Sequence, residues 1–374
     1  MPAKPAASTG VLTDRALNRA LLERQMLLRR AAVSVEDALE RLVGMQAQAP
    51  DPPYLGLWTR LDGFRLDDLS SLLCERRVVR VALMRSTLFL VTARDCLALR
   101  PVLADALKVW ALGVHAKGVA GVDLDALADA GRALAEETPR TFHELGPLLA
   151  ERWPDADPSA LGNMVRNLVP LVQVPPRGIW GEGGPAAHTT AEAWLGRPLD
   201  AQPDVDGMVL RYLAAFGPAT ARDVQHWCGL KRMGQVLDRL RPRLRTFRGE
   251  TGAELFDLPD APRPDPETPA PVRLLPEFDN VLLSHADRAR IITEERRKRV
   301  FTVNGIIRPT ILVDGMVRGM WKMERQRAAA TLTIDPFEPL AKADRAALEA
   351  EAMALLRFAA ADAASHDVRF GASS

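Results

Sequence analysis

The segment 206–258 constrains the fold most, because its predicted helices and strands follow one another with little spare chain. "DGMVLRYLAAFG" has the apolar spacing of an amphipathic helix, and "ATARDVQHWCG" predicts a second, opened by a capping box of Thr220 and Asp223 and closed by Gly229. "KRMGQVLDRLRPR" predicts a third helix, and "RLRTFRGETGAELFDL" alternates around a glycine-containing turn like a β-hairpin. Three helices followed by a hairpin predict a winged helix, whose third helix can lie in a DNA groove.

The N-terminal hundred residues repeat this order. Apolar spacing predicts helices over about 13–30, 34–45 and 67–77, and "VVRVALMRSTLFLVTARD" predicts two strands around a turn at Arg85 and Ser86. This segment therefore also has the element order of a winged helix.

The middle segment follows the same order less clearly. A capping box of Thr141 and Glu144 opens one helix, Pro158 occupies a first helical position in another, and "LVQVPPRGIWGEGGPAAHTT" predicts strand, turn and strand. The similarity lies in the order of elements and not in an aligned repeat.

After about residue 260 a linker rich in proline and charge leads into a β-rich segment. "VRLLPEFDNVLLS" and "RPTILVDGMVRGMWKM" predict strands, the latter with an Asp314-Gly315 turn, and "ADRAALEAEAMALLRFAAADAA" predicts a closing helix. We therefore expect an α+β protein with about three tandem winged helices, a C-terminal β-rich subdomain and a closing helix. The expected divisions are a flexible tail (1–12), three winged helices (13–100, 101–200 and 203–260) and the linker with the β-rich subdomain (261–374).

Overall charge does not identify a partner. The 374 residues carry 49 Lys and Arg against 48 Asp and Glu, so only local basic patches could indicate nucleic acid. Neither a signal peptide nor a membrane span is predicted, and the three cysteines lack metal-binding spacing, so we expect a cytoplasmic protein with reduced thiols. Two basic runs, "DRLRPRLRTFR" and "RARIITEERRKR", are either solvated charged faces or contacts for DNA phosphates.

The common catalytic motifs are missing from the sequence. No two histidines lie at i, i+4 spacing, and the chain contains no H-E-x-x-H, G-x-S-x-G, Walker A or G-x-G-x-x-G pattern. We therefore expect no metal and no cofactor.

The stretch "GMQAQAPDPPYLG" places Gln46 and Gln48 where a helix should end. In a continuing helix the two side chains would point about 200° apart. In extended chain, residues i and i+2 share a side. Because Pro50 disfavours helix at Ala49 and Gly44 loosens the end before the pair, we expect the helix to stop before the glutamines. Two readings stay open from these residues alone: the amides fix a loop, or they form a polar site.

Five segments together resemble the AlkZ/YcaQ-like winged-helix DNA glycosylases of bacteria, over almost the whole chain. They are "VGMQAQAPDPPYLGLWTRL", "MRSTLFLVTARD", "GIWG…TTAEAWLG", "LPEFDNVLLSHADR" and "RPTILVDGMVRGMWK". The family's catalytic signature is Gln-x-Gln in one branch and Gln-x-Asp in the other, and Gln46-Ala47-Gln48 matches the first. Phe89 stands where the family often has histidine.

The resemblance implies an enzyme that removes cationic N7-alkylated purines from double-stranded DNA, including bulky adducts and interstrand crosslinks, with some members giving self-resistance to DNA-alkylating antibiotics. Gln46 and Gln48 would be its catalytic residues. Such an enzyme would act as a monomer and associate with the nucleoid. The resemblance and the position on turns beside a basic run also predict a set of DNA-binding residues: Arg85, Ser86, Thr87, Asn280, His285 and Arg288. The alternative is a winged-helix transcription regulator or DNA-binding protein without catalysis, because fold does not fix function.

Overall fold

The structure is a computed structural model that describes residues 10–326 and 328–371. Its first part contains β1 (Val11–Leu12), α1 (Asp14–Arg24), α2 (Val35–Leu42), β2 (Met45–Gln46), α3 (Pro52–Trp58), α4 (Leu66–Cys74), β3 (Val78–Ala82), β4 (Leu88–Thr92) and α5 (Ala93–Val102). The second part contains α6 (Ala104–His115), α7 (Leu124–Glu137), α8 (Phe142–Ala150), α9 (Pro158–Leu168), β5 (Leu171–Gln173), β6 (His188–Thr190) and α10 (Ala191–Leu195).

The third part contains α11 (Val205–Phe216), α12 (Ala221–Cys228), α13 (Met233–Leu240), β7 (Arg245–Gly249) and β8 (Glu254–Asp257). The last contains β9 (Arg273–Leu275), α14 (Asn280–Leu283), α15 (Glu294–Val300), β10 (Thr310–Val313), β11 (Met316–Gln326), β12 (Ala329–Pro336), α16 (Lys342–Ala359) and β13 (Ser365–Phe370). The mixed α+β class is confirmed, whereas the number of winged helices stays a prediction.

One antiparallel sheet joins the segments on either side of residue 100. Its strand order is β2-β4-β3-β5-β6, so the hairpin β3–β4 from the first segment pairs through Arg80 and Val81 with β5 from the second. The division expected at residue 100 therefore falls between two segments that share a sheet. This sheet positions the glutamine motif, because β2 is its edge strand.

The third segment has the expected three helices and hairpin, with the capping box of Thr220 and Asp223 in place. Strand β1 adds to the hairpin in parallel, with Val11 opposite Arg248. We expected a flexible tail through residue 12, and this is wrong for Val11 and Leu12, because both pair with strand β7. Residues 1–9 lie outside the described part of the chain. A core shared by α1, the β3–β4 hairpin and α11–α13 holds this segment against the first.

The C-terminal sheet has the order β13-β12-β11-β10-β9, and α16 packs on it. The Asp314-Gly315 turn between β10 and β11 is confirmed. The strand expected over "VRLLPEFDNVLLS" is wrong beyond Leu275, because Asp279 accepts a hydrogen bond from the backbone N–H of Val281 and starts helix α14. No helix among the described residues is long and apolar enough to cross a membrane.

Candidate active site

The chain reverses direction immediately before the glutamine motif. Helix α2 ends at Leu42, Val43 is left-handed (φ 53°), and Gly44 has φ +83°. A Cβ on Gly44 would lie 2.6 Å from Val91 Cγ1 and 3.0 Å from the Leu90 carbonyl oxygen, so glycine alone fits this approach to β4. The helix stops where the sequence indicated, and Gln46 enters extended backbone opposite Phe89.

The motif is held along strand β4. Gln46 is 6% exposed, and its Oε1 accepts a 3.2 Å hydrogen bond from Arg85 Nη2. Gln48 is exposed, and its Oε1 lies 3.4 Å from the backbone N–H of Leu88. Between them Ala47 is buried and donates its N–H to the Leu88 carbonyl at 2.7 Å. The first amide is thus fixed by a cation, while the second faces solvent.

Arg80 supports the motif from inside the sheet, although the sequence reasoning did not single it out. It is 2% exposed, and its guanidinium donates to the Ala47 carbonyl oxygen at 2.6 Å and to Gln173 Oε1. No carboxylate of the described residues forms an ion pair with it, and burial, with a contribution from Arg177, lowers the pKa of Arg80 to about 10. The sequence did contain a signal for this role, namely an arginine inside the apolar strand "VVRVA". A charge buried in such a strand needs a specific hydrogen-bond partner.

Arg85 connects the motif to helix α12. It sits in the left-handed region (φ 57°) between β3 and β4, and its Nη1 donates to the Trp227 carbonyl at 2.9 Å while Nη2 binds Gln46. Burial, and then repulsion from Arg288, lowers the pKa of Arg85 to about 10. Even so, the guanidinium stays protonated at neutral pH and fixes the orientation of the Gln46 amide.

Arg288 lies in the same polar group. Its Nε donates to the Leu282 carbonyl at 2.7 Å, and its Nη2 lies 3.0 Å from Nε2 of His226. Because arginine can only donate, this His226 nitrogen must accept and carry no proton. Burial, and then the charges of Arg288 and Arg85, lowers the pKa of His226 to about 4, so the imidazole is neutral at pH 7.

A cleft of about 750 Å³ begins directly after Gln48. Ala49, Pro50 and Asp51 form one wall, and Trp180, Glu277 and Trp321 contribute to the others. Burial is the main cause that raises the pKa of both the Asp51 and the Glu277 carboxyl groups. The volume lies in the range of small-molecule sites, which is enough for a nucleobase.

A sequence model described as "DNA glycosylase AlkZ-like" matches residues 39–358. The chain belongs to the AlkZ-like DNA glycosylase family. It is 25% identical over 363 residues to an "Interstrand DNA cross-link repair glycosylase" of Streptomyces sahachiroi, covering 90% of this chain and 94% of that one. The solved structure of the "Streptomyces sahachiroi DNA glycosylase AlkZ" shares the fold, with a TM-score of 0.77 at 22% identity, covering 96% of this chain and 100% of that one.

The AlkZ-like chain does not place all the predicted DNA-binding residues on its surface. Ser86 is buried and donates its hydroxyl to Asn167 Oδ1, and Asn280 is buried and donates to the Gly44 carbonyl at 2.7 Å. Thr87 is partly exposed, with its hydroxyl on the Met84 carbonyl. Asn280 therefore anchors the backbone that leads into the glutamine motif.

His285 is the clearest departure from expectation in this family member. It is 1% exposed, with Nε2 3.0 Å from the Phe216 carbonyl and Nδ1 3.1 Å from the Ser284 hydroxyl. Burial, and then Arg290, lowers the pKa of His285 to about 3. The expectation that His285 lines a DNA-binding surface is wrong for this structure, because helix packing, invisible in the sequence, encloses the ring.

Proposed function

We propose that the protein hydrolyses the N-glycosidic bond of cationic N7-alkylated purines in double-stranded DNA, with Gln46 and Gln48 as its catalytic residues. The observation that carries the proposal is the pair of carboxamides at the end of β2, one fixed by Arg85 and the other exposed beside a cleft. Membership of the AlkZ-like DNA glycosylase family supports the reaction class.

The chemistry of the lesion explains why amides suffice. Glycosidic cleavage develops positive charge on the sugar and usually requires an acid to protonate the leaving group. An N7-alkylated purine already carries positive charge, so it departs neutral without an acid. The protein then needs only to position water and stabilise the sugar cation. A carboxamide oxygen has two lone pairs, so Gln46 can accept from Arg85 and still accept from water.

Gln48 supplies the second oxygen. Its weak 3.4 Å contact with the Leu88 N–H leaves the amide available to a substrate, and neither glutamine titrates. Arg85 places positive charge on Gln46, and Arg288 lies close enough to Arg85 to repel it, so two cations near the motif suit DNA phosphates. The protein would act as a monomer on the duplex, without a metal or cofactor.

The cleft after Gln48 supports larger lesions. Its 750 Å³ exceeds the space that a methyl substituent needs, and one relative is named for interstrand crosslink repair. We include bulky natural-product adducts and crosslinks among the proposed substrates, which fits a role in self-resistance.

Single-turnover base release from an N7-methylguanine duplex tests the proposal. We expect the wild type to release the base, and we expect Gln46→Ala or Gln48→Ala to lower the rate of release on the order of 10²-fold. If both amides hold one water, the double variant should lose less rate than the product of the two single losses. A duplex containing uracil, a neutral lesion, should stay intact. Wild-type release by the double variant would contradict the catalytic assignment. Binding of lesion DNA without base release by the wild type would favour a regulator or a non-catalytic binding protein.

A further inference from the structure

The turn 301–307 presents apolar side chains that the fold does not bury. Val303 is 102% exposed and Ile306 is 45% exposed, although both flank the tip of a tight turn where polar residues are usual. Neither side chain covers a core, so their apolar character does not serve folding. Exposed apolar side chains grouped in this way indicate a contact surface.

Hydrogen bonds within the turn define its backbone conformation. Phe301 and Ile307 pair as an antiparallel bridge, the Thr302 N–H donates to the Ile306 carbonyl at 2.9 Å, and the Gly305 N–H donates to the Thr302 carbonyl at 3.1 Å. The Thr302 hydroxyl accepts from the Ile306 N–H at 3.0 Å, and Ile307 is buried at the base. Val303 is therefore held out on a preformed support, which reduces the entropy lost on binding.

Positive charge flanks the apolar tip. Lys298 on α15 and Arg308 after the turn are both exposed, and no carboxylate of the described residues forms an ion pair with either. The Arg308 guanidinium donates to the Arg299 carbonyl oxygen at 3.5 Å. An apolar tip between available cations matches a nucleic-acid duplex, which has charged phosphates outside and stacked bases inside.

The base of the turn contacts Arg288, which belongs to the polar group around Arg85. The Arg288 guanidinium carbon lies 5.2 Å from the centre of the Phe301 ring, and Arg288 also contacts His226. Arg85 bonds to the neighbouring Trp227 carbonyl and to Gln46. Two arginines and one end of α12 thus link the turn to the first catalytic glutamine.

We propose that Val303 and Ile306 form a wedge that enters the DNA base stack beside the lesion while Lys298 and Arg308 bind the flanking phosphates. The inference rests on the proposed function, since the lesion is what brings the duplex to this face. Inserted apolar side chains unstack a base step and bend the duplex, and this deformation would expose the sugar of the lesion to Gln46 and Gln48. No covalent chemistry is assigned to the turn.

The test uses the full chain and a duplex with 2-aminopurine beside an N7-methylguanine on a 2′-fluorinated sugar, which resists cleavage. We expect wild-type binding to raise the fluorescence, because 2-aminopurine brightens when unstacked. A variant with Val303→Ser and Ile306→Ser should lose this rise and bind about tenfold more weakly, with an unchanged salt slope. A variant with Lys298→Ala and Arg308→Ala should keep the rise at saturation but lose about two units of salt slope.

The matched control replaces Val109 and Val114 with serine, since both are 59% exposed on α6, a helix that carries none of the residues assigned to DNA. This variant should behave as the wild type, and Val303→Leu should retain the fluorescence rise. Wild-type fluorescence and affinity in the tip variant would overturn the wedge, even if the enzyme releases base normally. Failure of the wild type to release base from the ordinary N7-methylguanine duplex would instead contradict the proposed glycosylase function. The fluorescence experiment would then still test whether Val303 and Ile306 enter the base stack.

Discussion

The buried guanidinium of Arg80 donates a 2.6 Å hydrogen bond to the carbonyl oxygen of Ala47, the residue between the two glutamines. The same side chain reaches Gln173 on β5, so the sheet that joins the first two segments also fixes the backbone of the motif. Since Arg80 is enclosed, it cannot touch DNA, and we regard it as a positioning residue.

Arg80→Met should slow base release by about tenfold or more, because the Ala47 carbonyl would lose its buried donor and the glutamines their fixed geometry. Affinity for lesion DNA should not change. Single-turnover rates and Kd measured on one duplex separate the two effects. Arg100→Met is the matched control, since Arg100 is also buried, has a pKa lowered to about 10, and bonds to backbone carbonyls away from the motif. Equal slowing in both variants would contradict a positioning role.

Gln48→Asp should remain active and gain a pH dependence that the wild type lacks. A carboxylate at this exposed position would favour the sugar cation, and protonation would abolish that benefit below about pH 5, near the ordinary pKa of aspartate. Base-release rates between about pH 4 and 8 check this, with Gln48→Asn as the neutral control. A flat profile for Gln48→Asp would contradict contact with the developing charge.

Arg85→Ala and Arg288→Ala should each reduce the salt dependence of DNA binding by about one phosphate contact. Arg85→Ala should also slow base release at saturating protein, because it removes the donor to Gln46, whereas Arg288 does not touch the motif. Binding titrations at several salt concentrations, followed by rates at saturation, distinguish the two residues. Unchanged salt slopes in both variants would remove them from the interface.

Gly44→Ala should destabilise the protein by about 2 kcal/mol or more, because the added Cβ meets Val91 and the Leu90 carbonyl at a positive φ. Gly63→Ala is the control, because Gly63 has φ +69° but no atom lies within 4 Å of the added Cβ. Its loss of stability therefore reports only the cost of placing alanine at a positive φ. Urea unfolding at neutral pH measures both. If the two losses are equal, close approach to β4 is not what requires glycine at position 44.

The buried imidazole of His285 should make stability fall as the pH drops below about 6.5, the ordinary histidine pKa. The unfolded chain binds the proton there, but the folded chain, with its His285 pKa lowered to about 3, does not. Stability from this group is therefore present above pH 6.5 and is lost progressively toward pH 3, modulated by the neighbouring charges of Arg290, Asp223 and Arg288. Unfolding free energies from pH 7 to 5 should decline less steeply in His285→Gln, and an identical slope would contradict this assignment.

Local signals in the sequence determined much of the fold. The capping boxes of Thr141 and Thr220, the Asp314-Gly315 turn and the end of α2 before Gln46 all depend on residues within about one turn of each other. Such contacts form wherever these residues occur together. The positions of the paired glutamines outside a helix could therefore be predicted.

Tertiary structure alone decided how those elements meet. Asn280 reaches Gly44 across 236 residues, Arg80 reaches both Ala47 and Gln173, and His285 lies in the core instead of on a surface. Periodicity states which face of an element is apolar but not which partner covers it, because strand pairing and helix packing join residues remote in sequence. The sequence determined that two amides leave the helix together; the packing of distant segments decided what holds them there.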